Sequence, residues 1–494
     1  MSIFSDRVSK WLRTVEPEKQ AMGRYARSDI GNGNLFADFA KQTARYCPDR
    51  GVWYYYDGKV WKADIKGSKT MELCKKLADA LLIYAMGLPN SEAEGSYKSF
   101  VIKWQTRRYR ETILKDAASV HPVFAMEFDT DLNLFNCKNG TLNLETFEFH
   151  PHNPDDMLTK MAGVKYVPGA RCVRWEQFIK EVMQPDSDGY KAVYLQKAMG
   201  YGLTGEAEEE CFFILFGPTS RNGKGTLMDT YMKLAGDYGR NARPETIARK
   251  DRVNGSAPNE DLARLAGARV VNISEPDKQL VLSAALIKTM TGRDPITVRF
   301  LHENSFEYIP QFKLFINTNY LPKVTDNTVF SSGRVKVIPF ERHFSEKERD
   351  KGLKKKLARE DSLSGILNWC LEGLKLVRER GLYTPPVIQA AIEQYRHDSD
   401  KIARFMEEEL EAGREYEVRT AEAYVRYKTW CQDNGCYSDG MVNFKSELEK
   451  VALVVRKRPK AGGSETTMIL GYRLRPIGIN VADVADENTS LHKA

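Results

Sequence analysis

The stretch that most constrains this chain is residues 211–234, CFFILFGPTSRNGKGTLMDTYMKL. Residues 211–216 are an apolar run with the length and the β-branched and aromatic content of a buried strand. The run stops at Gly217, small and polar residues follow, and Gly223-Lys224-Gly225-Thr226 opens an amphipathic helix. Strand, glycine loop and helix N-terminus in that order make a phosphate cradle. Glycines let backbone N–H groups approach phosphate oxygens, and the helix dipole adds about half a positive charge. A lysine at the position of Lys224 reaches the β- and γ-phosphates, and a nearby hydroxyl serves Mg2+. Five residues rather than four separate Gly217 from Gly223, and glycine follows the lysine, so the hydroxyl comes one position late, from Thr226. A bare glycine turn is the bland alternative. The strand–GKGT–helix run is uncommon enough that the sequence predicts a nucleoside-triphosphate binder, with Gly217, Asn222, Gly223, Lys224, Gly225 and Thr226 as its ligands.

Downstream the chain repeats the grammar of an α/β core. Residues 269–273 form a second buried strand ending at Glu275, a place from which a carboxylate manages Mg2+ and the attacking water when its strand lies beside the phosphate-loop strand. Ser274 stands where such motifs usually carry an acid, and Asp277 lies slightly beyond. After a helix over 283–291, residues 296–301 and 306–309 alternate as a hairpin around 302–304, with Arg299 and His302 as basic residues for phosphate contact. FKLFIN is a third strand, followed by Thr318 and Asn319, from which a polar side chain can sense a γ-phosphate through the water it positions. Arg334, read as an exposed arginine at the start of a fourth strand, is suited to reach a neighbouring subunit's γ-phosphate. Taken singly, each of these polar residues is better explained by structure than by catalysis.

At 494 residues the chain holds two to four domains. A net charge of +7 permits a nucleic-acid partner without demanding one. The eight cysteines form no C-x-x-C pair, Cys431 and Cys436 being nearest, which argues against a disulfide framework or a zinc site. No apolar run approaches the roughly 20 residues that span a bilayer, and residues 1–13 lack a signal-peptide core, so cytoplasm is the expected location.

Upstream of the loop the sequence predicts an amphipathic, partly mobile leader to about residue 30 and a helix over 34–45. A hairpin around Asp57-Gly58 and helices over 70–87 and 97–119 follow. Lys103, Arg107, Arg108 and Arg110 read as a solvated face. Asp129 and Asp131 form a D-x-D pair of the kind that holds divalent ions in primases, but they border the Asn139-Gly140 hairpin, where turn chemistry explains them better. Helices over 175–183 and 191–200 lead into the phosphate-loop strand. Beyond 344 come charged helices (346–359, 364–380), a hinge at Pro385-Pro386, and a helix over 387–396. Residues 400–475 read as helix, helix, helix, hairpin: a winged helix whose wing carries Arg456, Lys457, Arg458 and Lys460. Residues 477–494 read as a disordered tail.

Order and spacing together carry a resemblance. Residues 211–344 resemble the motor of a superfamily-three helicase, a branch of the AAA+ ATPases found in viruses, phages and mobile elements. RNGKGT is similar to motif A, RVVNISE to motif B, LIKTMTGRDPITVR to the linking B-prime motif, FKLFINTN to motif C, and GRVKVIPF to the arginine-finger strand. WYYYDGKVW, LFNCKNGTLNLE and QKAMGYGLTG resemble the N-terminal region of phage and poxvirus primase–helicases, so about 450 residues are covered. The resemblance implies a P-loop AAA+ α/β core (171–345) after an α+β N-terminal region (1–170). A helical extension (346–398), a winged-helix domain (399–476) and the tail (477–494) complete the expected organisation.

The same resemblance implies ATP and Mg2+ as cofactors. Lys224 and Thr226 bind them, Glu275 organises hydrolysis and contributes to the metal site, Asn319 acts as sensor, and Arg334 acts in trans. It further implies a homo-oligomeric ring, most often a hexamer, threading single-stranded or forked DNA past Lys288, Arg299 and His302 and unwinding 3′ to 5′. A phage or mobile-element source, a bacterial host cytoplasm and a separate primase or initiator as partner complete the expectation. The alternatives are an initiator that binds origin duplex DNA with little unwinding, a small-molecule kinase, and a DNA-binding protein with a vestigial loop.

Overall fold

The computed structural model describes residues 3–20, 22–89, 92–249, 259–301, 304–324, 326, 328–434, 436–459 and 464–476. The expected tail, 477–494, lies outside them. The chain divides into two compact units, one formed by residues 1–322 and 333–388, the other by 323–332 and 389–494.

The first unit begins with α1 (Ile3–Val15), α2 (Asp29–Ala40), β1 (Ala44–Cys47), β2 (Val52–Tyr56), β3 (Trp61–Ala63), α3 (Ser68–Met86), α4 (Glu92–Val101) and α5 (Arg107–Ala117). The expected leader is a packed helix: Val8 and Leu12 are buried in one cluster with Leu35 and Phe36 of α2 and Leu77 and Leu81 of α3. The Asp57-Gly58 turn joins β2 to β3 as expected, because the Asp57 carboxylate accepts the N–H groups of Lys59 and Val60. Helix α2 stops at Ala40, and residues 44–47 instead pair as a strand with β2. The single helix expected over 97–119 is broken. A 3-10 turn covers Ile102–Gln105, and the buried Arg110, far from a solvated face, donates Nη1 to the Trp104 carbonyl (2.8 Å) and holds that break.

A small sheet of β4 (Leu134–Cys137), β5 (Gly140–Asn143) and β6 (Phe149–His150) follows; the hairpin expected at Asn139-Gly140 forms with Lys138 and Asn139 in its turn and Gly140 opening β5 opposite Cys137. Then come α6 (Val173–Val182), α7 (Tyr190–Gly202), β7 (Phe212–Phe216), α8 (Lys224–Ala235), β8 (Gly239–Ala242), α9 (Glu260–Ala263), β9 (Val270–Ser274), α10 (Ala284–Thr291), β10 (Ile296–Val298), β11 (Phe306–Tyr308) and β12 (Lys313–Thr318).

After α11 (Thr328–Ser331), which belongs to the second unit, the first unit resumes with β13 (Val335–Pro339), α12 (Leu353–Leu357) and α13 (Glu360–Arg380). Five strands form one all-parallel sheet in the order β13-β7-β12-β9-β8. The runs FFILF, VVNIS and KLFINT are buried nearly end to end, as strands covered on both faces must be. The charged helix expected over 346–359 shrinks to five residues, α12. Helix α13 lies tight on α7: a Cβ on Gly200 would sit 2.3 Å from the Cys370 carbonyl oxygen, and one on Gly373 2.2 Å from that of Gln196. Residues 360–380 thus pack closely on α7 within the first unit. The regions expected as separate domains, 1–170 and 171–345, fall in this one unit except for 323–332.

Helix α14 (Pro386–Ser399) straddles the unit boundary. The second unit continues with α15 (Lys401–Glu409), β14 (Leu410–Arg419), α16 (Thr420–Asp433), α17 (Met441–Leu448), β15 (Leu453–Lys457) and β16 (Thr466–Leu474). Asp400 caps α15 through the N–H groups of Ile402 and Ala403. Strand β14 replaces part of the expected helical run. It pairs with β16, giving a sheet in the order β14-β16-β15 over a core built around Phe405, Tyr427, Trp430 and Phe444.

Candidate functional site

The loop from β7 to α8 has the form its glycines require. Gly217 has no room for a side chain: a Cβ there would lie 2.1 Å from Asn222 Nδ2 and 2.6 Å from the Phe340 carbonyl oxygen. Gly223 sits at φ +86° with Val182 and Phe178 packed behind it, a backbone that L-residues avoid. Gly225 faces open space and needs no such explanation. Asn222 is buried and donates Nδ2 to the Thr219 carbonyl (2.6 Å).

Lys224 opens α8 with its side chain turned into the protein. It is 4% exposed, and its Nζ donates to the Gly217 carbonyl (3.2 Å) and to Asn319 Oδ1 (2.7 Å). No described carboxylate pairs with it, and burial pushes its ammonium down to about 8. A buried cation supplied only with neutral oxygens, at the N-terminus of a helix, is matched to an anion. Thr226 is half-buried on the first turn of α8.

Glu275 follows β9 immediately. It is exposed, its N–H donates to the Asn317 carbonyl (2.9 Å), and its φ of +54° is left-handed, which a non-glycine residue adopts at a cost of about 1 kcal/mol or more. The expectation that its strand lies beside β7 is corrected by the structure. Strand β12 runs between them, pairing with β7 through Phe315–Thr318 and with β9 through Lys313–Asn317. Asn319, just past the end of β12, therefore belongs to the strand between Lys224 and Glu275. Among the described residues no group of three His, Cys, Asp or Glu side chains stands ready to hold a metal.

Arg334 departs from the exposed arginine read from the sequence. Its side chain is 15% exposed; Nη2 pairs with Glu210 (2.5 Å) and Nη1 donates to Thr291 Oγ1 (2.8 Å). Glu210 ends the segment before β7, which pairs with the strand Arg334 precedes, so the two side chains meet at the edge of the sheet. Nothing in the sequence marks Glu210 as that partner.

The hairpin β10–β11 forms with Ile296 opposite Tyr308 and Val298 opposite Phe306, packed on α9 through Ala263 and Leu262. Arg299 donates its backbone N–H to Asn259 Oδ1 (2.9 Å), and Lys288 is half-buried on α10. His302 lies outside the described residues. In the second unit Arg456 and Arg458 are exposed, Lys457 pairs with Glu417 (2.7 Å), and Lys460 lies outside the described residues. The Asp129–Asp131 pair is accounted for by structure. Asp129 accepts the Thr159 N–H (2.8 Å) and Lys160 Nζ (2.8 Å), and Asp131 accepts the Asn133 N–H (2.9 Å) in a turn.

Three family models match parts of the chain: D5 N terminal like over residues 33–184, a family of unknown function (DUF5906) over 215–334, and Poxvirus D5 protein-like over 397–475. Among curated relatives, the "Putative helicase L207/L206" of Acanthamoeba polyphaga mimivirus is 26% identical over 392 residues, covering 72% of this chain and 40% of that one. The "Putative helicase 022R" of Frog virus 3 is 27% identical over 317 residues (60% and 30%), and the "Putative helicase 121R" of Invertebrate iridescent virus 3 is 24% identical over 385 (71% and 40%). The chain thus spans only 30 to 40% of the length of these relatives. Among solved structures, the apo structure of the NrS-1 C terminal region aligns with a TM-score of 0.49 at 12% identity, covering 88% of this chain and 98% of that one. No helix of the described residues is long and apolar enough to cross a membrane.

Proposed function

We propose that this chain, which resembles the phage/poxvirus type of primase–helicase, is an ATP-driven DNA helicase motor with a P-loop AAA+ core. The observation that carries the reading is Lys224, a buried lysine on neutral oxygens at the mouth of a glycine loop, bonded to Asn319 on the neighbouring strand. A triphosphate entering the loop supplies the missing negative charge, and its terminal phosphate competes with Asn319 for the lysine. Asn319, released, is then placed to hold the attacking water, and Glu275 to orient or accept its proton. The order β13-β7-β12-β9-β8 supports the core assignment, because it inserts the Asn319 strand between the phosphate loop and the carboxylate. Thr226 and Glu275 are the protein groups offered to Mg2+. Held there, the ion would shield the charge of the phosphates and polarise the one transferred.

The remaining assignments belong to the same proposal. Arg334 acts across a ring interface, most often of six copies, after exchanging Glu210 for a neighbour's γ-phosphate. Lys288, Arg299 and His302 track the backbone of single-stranded DNA, moving 3′ to 5′. The second unit runs helix, strand, helix, helix, strand, strand with the first strand paired to the last, an order that supports a winged helix. Its exposed Arg456 and Arg458, with Lys457 and Lys460, are proposed duplex contacts at a fork or origin. The proposed place of work is the cytoplasm of the host cell.

The decisive test is ATP-dependent strand displacement on forked DNA by the wild-type chain and by Lys224→Ala. Displacement that needs ATP and disappears in the variant supports the motor. Hydrolysis without displacement replaces it with an ATP-using initiator that binds origin duplex. A phosphorylated small-molecule product would make it a kinase.

A further inference from the structure

Three neighbouring carbonyl groups in the long phosphate loop are each held by a donor. The Thr219 oxygen accepts from Asn222 Nδ2 (2.6 Å), the Ser220 oxygen from His343 Nδ1 (2.9 Å), and the Arg221 oxygen from the Phe344 N–H (2.9 Å). Two of these donors come from residues 340–346, which run from the end of β13 along the loop. That segment is itself tied down. The Phe340 N–H donates to the Phe216 carbonyl (2.6 Å), Glu341 pairs with the buried Lys191 on α7 (2.6 Å), and Glu346 pairs with Arg221 of the loop. Ser345 closes the far end by donating N–H (2.9 Å) and Oγ (2.7 Å) to Glu348.

A trans peptide is planar, with its C=O and the following N–H pointing in opposite directions. Fixing the carbonyls of Thr219, Ser220 and Arg221 therefore turns the N–H groups of Ser220, Arg221 and Asn222 the other way. Arg221 at φ +60° and Gly223 at φ +86° are left-handed, and left-handed residues alternating with right-handed ones are how a turn forms an anion-binding concavity of N–H groups. A loop one residue longer than the usual spacing has more conformations to lose on ordering. Bonds from behind remove that freedom before any ligand arrives.

We propose that residues 340–346 are a strap that pre-orders the phosphate loop, and that His343 is a positioning residue for nucleotide, acting through the Ser220 carbonyl; this rests on the phosphate-loop reading above. His343 touches no phosphate in this scheme. It must carry its proton on Nδ1, because the Ser220 oxygen can only accept. The side chain is exposed, so trimming it opens no cavity.

The test compares His343→Ala, His343→Asn and Lys224→Ala in the full chain, reading KM and kcat for ATP hydrolysis, affinity for a fluorescent ATP analogue, and melting temperature. Asn is chosen because its Nδ2 stands close to where His Nδ1 stood. For His343→Ala we expect a KM and a dissociation constant raised about three- to tenfold, the effect of one lost hydrogen bond, with kcat within about twofold and an unchanged melting temperature. His343→Asn returns most of the affinity. Wild-type affinity in His343→Ala overturns the proposal, and so does an equal loss in both His343 variants with a lowered melting temperature, which marks a merely structural role. Unchanged nucleotide binding in Lys224→Ala, or no ATP binding by the wild type, overturns the phosphate-loop reading, and the strap with it.

Discussion

Two buried lysines sit at opposite ends of neighbouring strands in the same sheet, and they are bonded in opposite ways. Lys313 begins β12 and is 2% exposed; its Nζ meets the carbonyl oxygens of Thr204 (2.5 Å), Glu206 (3.0 Å) and Gln311 (3.3 Å) and lies 4.7 Å from the centre of the Tyr201 ring. Lys224, past the other end of β7, has two oxygens instead. Burial pushes both ammonium groups below their ordinary range, and at Lys313 the nearby Arg269 acts in the same direction. Lys313 is a cation whose donors are used up, and it clamps the segment before β7 to the base of the sheet. Lys224 has a donor to spare and a helix N-terminus beside it. Burial and a perturbed pKa are common to both lysines; the unused bonding capacity and the end of the sheet are what set apart the one proposed to bind nucleotide.

The two are separated most sharply by substitution. Lys224→Ala should lower ATP turnover at least about 10²- to 10³-fold while leaving the unliganded fold as stable as before or slightly more so, since it removes a penalised charge. Colorimetric phosphate release and thermal melting read the two effects. A melting temperature that falls along with activity would make Lys224 another Lys313.

Lys313→Ala should do the reverse and cost about 2–4 kcal/mol of stability by stranding buried carbonyl oxygens. Chemical denaturation measures it. A neutral result would mean that water replaces the ammonium and that the clamp is decorative.

The lysines should also differ in pH response toward ligand. Phosphate binding raises the Lys224 pKa from about 8 toward its ordinary value of 10.5, so binding takes up a proton once the free lysine has lost it. ATP affinity should be flat below pH 8 and fall above it, by up to about tenfold per pH unit. Calorimetry in buffers of different ionisation enthalpy would register the proton. Affinity independent of pH between 7.5 and 9.5 would show that the free lysine is already fully charged.

A smaller effect tests the N-terminal packing, far from either lysine. At Asp38 burial pushes the carboxyl up, but Arg24 (2.6 Å), His121 (2.6 Å) and Tyr25 (2.9 Å) outweigh it and hold the pKa down to about 2. A carboxylate depressed from 3.8 stabilises the fold above that value and loses its contribution as pH falls toward 2. Asp38→Asn should therefore reduce stability near neutrality by about 1 kcal/mol and narrow to nothing in acid, as acid titration of the two proteins would show.

The same contrast shows what could be read before the coordinates. Lys224 announces itself because glycines, an apolar run and a helix signal surround it at fixed spacing, and β7, α8, β9, β12 and β13 all fall within a residue or two of expectation. Lys313 sits in FKLFIN, where nothing distinguishes a buried cation from a strand-end one, since its Thr204 and Glu206 partners lie about 110 residues upstream. Strand β14 was hidden for a related reason. Its sequence, LEAGREYEVR, is charged and buries only Leu410 and Val418, and it is a strand because β16 pairs with it, not because of its own pattern. Arg334 shows the same limit. The residue was legible, but its engagement with Glu210 depends on two segments meeting at a sheet edge.

The placement of β12 makes the sheet a caliper. Neighbouring strands stand about 4.8 Å apart, so the strands that lead to Lys224 and Glu275, β7 and β9, are held at about twice that. At one spacing the carboxylate could fold onto the ammonium and cancel it, leaving a stable, inert pair. At two, the pair is kept apart by the intervening strand, and that separation is set by backbone hydrogen bonds rather than by either side chain.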